Sequence, residues 1–243
     1  MTPKVSIVIT TLDGYPFTRG CLESISCTLA PGSYEIVIVD NGSSDETLGL
    51  EREHEFVRNP VPSLYESWNR GIAAAGSDWV VCTNNDVFFC TRDWWRWMHR
   101  ALEGELDWAY PEMVETQAVV AGMYDRIGDA LRQEQLQVTL EHGTLAGCCF
   151  ALHRSLIEEV GPFDSQFGVW YGEKDYEIRL LQAGKRYGRV GNAVARHFGS
   201  STIRVDDVAR RDYERFRGKH EETPLQPLGL QMPPFGPHAL KAG

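Results

Sequence analysis

Residues 80–89 read VVCTNNDVFF, an apolar run that ends in two amides and a carboxylate. Such a run, which begins at Trp79, is typical of a strand that is buried on both faces of a sheet. Open α/β sheets bind their ligands at the carboxyl ends of the strands. Asp86, beside two amides, therefore suits a divalent cation that carries phosphate oxygens. An ordinary turn is the alternative, because Asn and Asp are also common turn residues.

The composition is that of an ordinary globular protein. The chain has 243 residues, of which 42% are hydrophobic, so it can bury a core of its own. Its formal net charge of −10 argues against nucleic acid as a partner. The six cysteines form no CxxC pair, which favours free thiols in a reducing compartment over a disulfide framework or a zinc site.

The sequence shows no pattern that is typical of membrane insertion. No apolar run reaches the ~20 residues of a transmembrane helix, and the N-terminus lacks a signal-peptide pattern. We therefore expect no transmembrane segment and a cytoplasmic protein, either free or peripheral to the inner face of a membrane. The tail after Arg204 suits a lid, a homodimer contact or a membrane-proximal segment, although its mixed charges do not favour a membrane-binding helix.

Apolar runs alternate with helical patterns along the first 90 residues. Strands are predicted at 4–10, 35–39 and 79–83, and helices are predicted to follow Pro16, Ser43 and Ser63. This alternation is typical of βαβ units, and hence of a doubly wound, mostly parallel sheet with helices on its faces.

The predicted fold class is therefore α/β, with a single Rossmann-like domain over residues 1–203. Residues 1–90 form its nucleotide-binding half, and 91–203 form a less regular acceptor and catalytic half that includes a predicted helix at 126–137. Residues 204–243 are expected to form a C-terminal helix and an extended tail.

Polar clusters follow three successive predicted strands. They are Thr11 to Asp13, Asp40 to Asp45 and Asn84 to Asp86. Because a parallel sheet aligns the carboxyl ends of its strands, we expect the three clusters to converge. The sequence contains no GxGxxG after the first strand and no GxxxxGK[ST], which argues against a dinucleotide fold or a P-loop. A metal near Asp86 would then neutralise phosphates, while Asp40 would accept hydrogen bonds from a base or a ribose.

An ordered series of motifs resembles glycosyltransferase family 2, whose members have the GT-A fold. The motifs lie at residues 5–11, 36–45, 69–75, 83–86, 147–150, 159–164, 173–179 and 196–201. Together they most resemble the rhamnosyltransferase-like branch. The resemblance implies a metal-dependent, inverting glycosyltransferase that takes a sugar from a UDP-, dTDP- or GDP-linked donor. The acceptor would be a hydroxyl of a glycan, a glycolipid or a small molecule.

The resemblance also implies a metal site for Mg²⁺ or Mn²⁺. Residues 83–86 occupy the place of the metal-binding DxD motif of the family, but its first Asp is Asn84 here. An amide oxygen ligates without adding charge, so metal affinity should be weakened. By resemblance Asp86 is the anchoring ligand, and Asn84 and His197 complete the set. The alternative for His197 is a packing or capping role.

By the same resemblance, five residues are expected to bind the nucleotide: Thr11, Asp13, Asp40, Asn69 and Asn84. Asn69 opens a helix motif of the family, and the others follow the predicted strands. Each of the loop residues also fits an ordinary turn or helix entry.

The catalytic residues are expected at the start of a helix near residue 173. The family commonly has Glu-Asp-x-Asp there, with an Arg four residues after the second Asp. When the Arg of this pattern is aligned with Arg179, Glu173 aligns with the first Asp, which is the catalytic one, and Asp175 aligns with the second. Gly172 then occupies the position at which the family commonly has Glu. We assign Glu173 as general base and Asp175 to orienting the helix or the acceptor through Arg179. Solvated acids favoured by the helix dipole are the alternative.

Two other classes of function remain open from the sequence. A sugar nucleotidyltransferase needs a Gly-rich, basic N-terminal loop, which this sequence lacks. A non-catalytic binding protein of the same fold is a stronger alternative, because Asn84 and Lys174 replace acids that the family pattern would have.

Overall fold

The computed structural model describes residues 2, 4–61, 63–115, 134–143, 145–199 and 206–233. Most of the helix predicted at 126–137, the two serines that end the last motif and the last part of the tail lie outside the described residues. The described end of the predicted helix, 134–137, is not helical.

One nine-stranded sheet runs through the described part of the protein. In chain order its strands are β1 Val5–Thr11, β2 Tyr34–Asp40, β3 Glu55–Arg58, β4 Trp79–Asn84, β5 Val87–Phe89, β6 Trp108–Glu115, β7 Val138–Leu140, β8 Cys149–His153 and β9 Tyr187–His197. They lie side by side in the order β3-β2-β1-β4-β8-β6-β9-β5, and β7 pairs with β9. The predicted α/β fold class is confirmed.

The predicted parallel arrangement is present in the first half of the sheet. There β1 pairs in parallel with β2 and β4, and β2 pairs in parallel with β3. The second half is mixed: β8 is antiparallel to β4 and β6, β5 and β7 are antiparallel to β9, and β6 is parallel to β9. Because residues 149–152 of β8 are all buried, this strand has the continuous apolar run that is usual for a parallel strand.

Helices cover both faces of the sheet. They are α1 Tyr15–Thr28, α2 Leu64–Ala74, α3 Trp94–Gly104, α4 Ser155–Val160, α5 Gly172–Gln182 and α6 Asp206–His220, with 3-10 turns at Glu46–Arg52 and Gln226–Leu228. Ser63 caps α2 as its spacing predicts, since its hydroxyl accepts the Glu66 N–H at 3.2 Å. Asp45, rather than Ser43, caps the first 3-10 turn. None of the described helices combines the length and the apolar composition that a transmembrane segment needs.

Successive side chains of the central strands enter two different cores. Val5, Ile7 and Ile9 of β1 pack on the face that α1 and α3 cover. Val8 packs on the opposite face with α2 and α5. Each buried side chain of this size stabilises the fold by about 1.5–3 kcal/mol, which explains the continuous apolar run. Gly71 lets α2 lie against β1, because a Cβ there would be 2.1 Å from Val8 Cγ1.

Candidate active site

The polar clusters after β1, β2 and β4 meet at one edge of the sheet. The strand register sets Thr11 beside Asp40, and β4 ends at Asn84 on the other side of β1. Asn85 then donates its amide hydrogens to the Thr11 hydroxyl at 3.2 Å and to the Asp13 carbonyl at 3.3 Å. The structure therefore brings together four of the five predicted nucleotide-binding residues.

The carboxylates after β1 and β2 hold the backbone of their own loops. Asp40 is buried, and its oxygens accept the N–H groups of Gly42 and Ser43 at 3.0–3.3 Å. Asp13 has a left-handed φ of 54°, and its Oδ1 accepts the Ser44 N–H at 2.6 Å. The two loops are thereby locked to each other and present their backbone at the edge of the sheet.

Asp86 and His197 form a close pair beside this edge. Pairing of β5 with β9 sets His197 opposite Val87, and the Phe198 N–H donates to the Asp86 carbonyl at 3.0 Å. His197 Nε2 lies 3.4 Å from Asp86 Oδ1. Burial lowers the pKa of His197, but hydrogen bonds with Asp86 and Cys148 outweigh it and raise the pKa to about 10.

The pair fits a divalent cation. Asp86 Oδ1 is buried, and the side-chain atom paired with it is His197 Nε2 at 3.4 Å. Two adjacent ligands of an octahedral ion, each at ~2.1 Å, are themselves ~3 Å apart, which is close to the observed separation. In the described part of the chain, no group of three or more His, Cys, Asp or Glu side chains converges on a point. The half-buried Asn84, two residues before Asp86, is thus the candidate for a third, neutral ligand.

Glu173 lies on the other side of a short segment from this pair. The segment is Gly147–Cys148, which leads into β8. A Cβ on Gly147 would be 3.4 Å from the Glu173 Cβ, and the Cys148 carbonyl accepts the Asn84 N–H at 2.8 Å. The Cys148 thiol is hydrogen-bonded to His197. The predicted base and the predicted metal ligands are therefore neighbours in space.

The environment of Glu173 favours its neutral form. Burial raises the pKa of Glu173, and the hydrogen bond from the Tyr65 hydroxyl only partly offsets this. Gly172 allows that contact, because a Cβ there would lie 2.4 Å from Tyr65 Cζ. No motif in the sequence indicates a role for Tyr65, which is 108 positions away from Glu173.

Asp175 is paired with cationic side chains. It is fully buried, and its Oδ2 accepts from Arg179 at 3.0 Å. Its Oδ1 meets Lys219 at 2.7 Å and His220 at 3.0 Å, both from α6. Burial raises the pKa of Asp175, but the His220 and Lys219 hydrogen bonds and the Arg179 charge leave it below its usual value. Both carboxylate oxygens are therefore already engaged.

Asn69 is not brought to the site. Its amide donates to the Phe163 carbonyl and accepts the Phe163 N–H, both at 2.9 Å. These two bonds fix the loop after α4 on α2, so the amide has a structural role in this conformation.

The described residues form a mixed α/β protein with a candidate ligand site at the carboxyl edge of its parallel strands. A sequence model described as glycosyl transferase family 2 matches residues 6–161. The chain therefore belongs to glycosyl transferase family 2, which confirms the family resemblance. The rhamnosyltransferase-like branch stays a prediction, and Glu173, His197 and α6 lie beyond the matched residues.

Curated relatives with similar sequences are named as glycosyltransferases. A PGL/p-HBAD biosynthesis glycosyltransferase of Mycobacterium tuberculosis is 33% identical over 92 residues, which are 35% of this chain and 36% of that protein. Glycosyltransferase AglE of Haloferax volcanii is 22% identical over 198 residues, which are 75% of this chain and 62% of that protein. The match thus spans less than two thirds of the length of either relative.

Solved structures with the same fold include GalNAc-T7 and TarS. GalNAc-T7, crystallised with UDP, GalNAc and Mn²⁺, superposes with a TM-score of 0.66 at 16% identity over 94% of this chain and 52% of that chain. TarS of S. aureus in complex with UDP gives a TM-score of 0.61 at 12% identity over 92% of this chain and 73% of that chain. At this identity the likeness shows the fold alone, and it confirms the expected GT-A architecture.

Proposed function

We propose that the protein transfers a sugar, with inversion, from a nucleoside diphosphate donor to an acceptor hydroxyl. The observation that carries the proposal is the position of Glu173 across Gly147–Cys148 from the Asp86–His197 pair. In a displacement at the anomeric carbon, a base on one side would accept the proton of the attacking hydroxyl. A cation on the other side would neutralise charge on the departing diphosphate. Attack by a hydroxyl that Glu173 deprotonates would be one displacement step, which inverts that carbon.

Asp86 and His197 would hold the cation, with Asn84 as a neutral third ligand. The bound cation would neutralise negative charge on the departing diphosphate. An imidazole in the set favours Mn²⁺ over Mg²⁺, because Mg²⁺ prefers oxygen ligands. The loop backbone that Asp13 and Asp40 fix would lie against the nucleoside. We leave Asn69 out of this site, because both polar groups of its amide bind Phe163.

Glu173 would accept the proton of the attacking hydroxyl. A pKa raised by burial brings a carboxylate closer to the pH at which it must exchange that proton. Asp175 would instead hold α5 in place through its cationic partners. UDP is the first nucleotide to test, since GalNAc-T7 and TarS were both crystallised with it, and dTDP and GDP follow. The acceptor would be a hydroxyl of a glycan, a glycolipid or a small molecule.

The test compares donor turnover with nucleotide binding. UDP-, dTDP- and GDP-linked sugars are incubated with the protein and Mn²⁺, with and without EDTA, and release of the nucleoside diphosphate is measured. Glu173→Gln should lower release by about 10²–10⁴-fold, the usual contribution of a general base, while thermal shifts with UDP and Mn²⁺ stay unchanged. Glu158→Gln, at an exposed position on α4, is the matched control and should keep full turnover.

The outcomes distinguish the alternatives. Full turnover by Glu173→Gln would overturn its role as base and direct attention to Asp175. No turnover of any donor by the unaltered protein, with nucleotide binding intact, would favour a non-catalytic binding protein.

A further inference from the structure

The loop that leads into the base is held in an unusual backbone conformation. Residues 167–170 run into Tyr171, which directly precedes α5, and Glu173 is the second residue of that helix. Tyr171 has a φ of 65°, a left-handed conformation that bulky residues rarely adopt. Such a conformation persists only when the surrounding structure constrains it.

One buried carboxylate from α6 supplies much of this constraint. Asp212 is 4% exposed and accepts three consecutive backbone N–H groups. Gly168 donates to its two oxygens at 2.9 and 3.1 Å, Val169 at 3.0 Å and Trp170 at 2.9 Å. Without the carboxylate, three amides next to the base would lose their acceptor.

The carbonyls of the same loop are held from the opposite side by α2. The Ser63 hydroxyl donates to the Phe167 carbonyl at 2.6 Å, and the Leu64 N–H donates to the next carbonyl along the loop at 2.8 Å. The Tyr65 hydroxyl lies 2.9 Å from the Val169 carbonyl and also contacts Glu173. The loop is thus fixed between two helices. We therefore expect that removal of the hydrogen bonds from α6 changes the position of the loop next to Glu173.

Side chains of α6 also contact the residues on either side of the base. The rings of Tyr213 and Phe216 pack on Tyr171 with centroids 5.4 and 5.6 Å away. One turn further along α5, Asp175 is bound by Lys219 and His220. The helix therefore contacts both ends of the turn that carries Glu173.

We propose that Asp212 is a positioning residue for Glu173. It acts through the backbone of residues 168–170, which sets the conformation of Tyr171 and thereby the direction in which the base points. The inference rests on the proposed role of Glu173, and Asp212 lies outside the family-matched residues 6–161.

The first test separates catalysis from binding. Asp212→Ala should lower kcat for Mn²⁺-dependent nucleotide release by about 10–100-fold, because a displacement of ~1 Å at a reacting group has effects of this size. The KM for the donor and the Kd for UDP should change by no more than about twofold, since the metal and nucleotide loops are untouched. Asp212→Asn keeps one acceptor oxygen and should fall between Asp212→Ala and the unaltered protein. Glu214→Ala, exposed on the same helix, should have no effect.

A double-mutant cycle identifies the route of the effect. If Asp212 acts through the base, Asp212→Ala should cause no further loss in the Glu173→Gln background, because residues that act as a unit are not additive. A full additional loss there, or a fall in UDP binding that parallels kcat, would overturn the inference. If Asp212→Ala does not fold, Asp212→Asn carries the same cycle with a smaller expected loss.

The same variants distinguish failure of this inference from failure of the proposed function. Wild-type kcat in Asp212→Ala, with the kcat of Glu173→Gln strongly lowered, overturns only the positioning role. Wild-type kcat in Glu173→Gln overturns the proposed base and this inference with it.

Discussion

Replacement of Gly172 by Ala should impair both stability and catalysis. The added Cβ would lie 2.4, 2.5 and 2.6 Å from three ring carbons of Tyr65. Carbon atoms in contact are normally ~3.5–4.0 Å apart, so the ring or the start of α5 must move by about 1 Å. Overpacking of this kind costs about 1–3 kcal/mol of unfolding free energy. For a chain of this size that corresponds to a fall in Tm of about 2–12 °C.

The effect on catalysis follows from the hydroxyl group of the displaced Tyr65 ring. The Tyr65 hydroxyl is hydrogen-bonded to Glu173, so a shift of the ring or of α5 changes the direction of the proposed base. Misplacement by ~1 Å can lower turnover by about 100-fold. UDP binding should stay unchanged, because the three atoms nearest to the added Cβ all belong to Tyr65.

Thermal unfolding and donor turnover of Gly172→Ala test this reasoning together. The matched control is Gly218→Ala on α6, where a Cβ meets nothing within 4 Å in the described part of the protein. Ala at a helix interior should stabilise this variant by about 0.5–1 kcal/mol and leave turnover unaltered. A Gly172→Ala protein with the Tm and turnover of the unaltered protein would refute the assigned contact between Tyr65 and the start of α5.

Three further predictions concern the metal, the base and the buried carboxylate. Asp86→Ala should abolish the Mn²⁺-dependent part of turnover, as EDTA should in the unaltered protein; full metal-dependent turnover in the variant would exclude Asp86 as a ligand. Since burial raises the pKa of Glu173, kcat/KM should fall on acidification at a higher pH than for an ordinary Glu. Tyr65→Phe should move that fall further upward, because the lost hydrogen bond favours the charged form; a pH profile that does not move would contradict this. Asp175→Asn should lower the free energy of unfolding by about 1–3 kcal/mol at neutral pH, because it removes a buried negative charge whose partners Arg179 and Lys219 are partly exposed to water. The pKa of Asp175 is depressed in the folded state, so its stabilisation is present above its usual value of 3.8 and is lost as pH falls through the folded value. Urea titrations should therefore give similar free energies of unfolding for the unaltered protein and for Asp175→Asn at acidic pH.

The amino-acid sequence by itself determined the elements and the edge at which they converge. The apolar runs that begin near Val5, Ile36 and Trp79 are strands, and the polar residues that end them meet at one edge of the sheet. Ser63 caps α2 as its spacing to Glu66 predicts. These features depend on neighbours in the chain, so periodicity and capping patterns are sufficient to predict them. The order of motifs added the family and drew attention to Glu173 and His197.

Only the tertiary structure decided which distant side chains meet. Asp212 reaches residues 168–170 across more than 40 positions, and Tyr65 reaches Glu173 across 108. The direction of the strands after β4 could not be predicted from the sequence either, because β8 is buried whether its neighbours run parallel or antiparallel to it.

The two carboxylates in the first turn of α5 show the physical reason most directly. Glu173 and Asp175 are two positions apart, yet the pKa of Glu173 is raised and the pKa of Asp175 is lowered. Burial acts on both, but Asp175 is also paired with Lys219 and His220 of α6, whereas the Tyr65 hydroxyl only partly offsets burial at Glu173. The charge of an acid is set by what packs against it, and helix packing assembles those partners from parts of the chain that no local pattern connects.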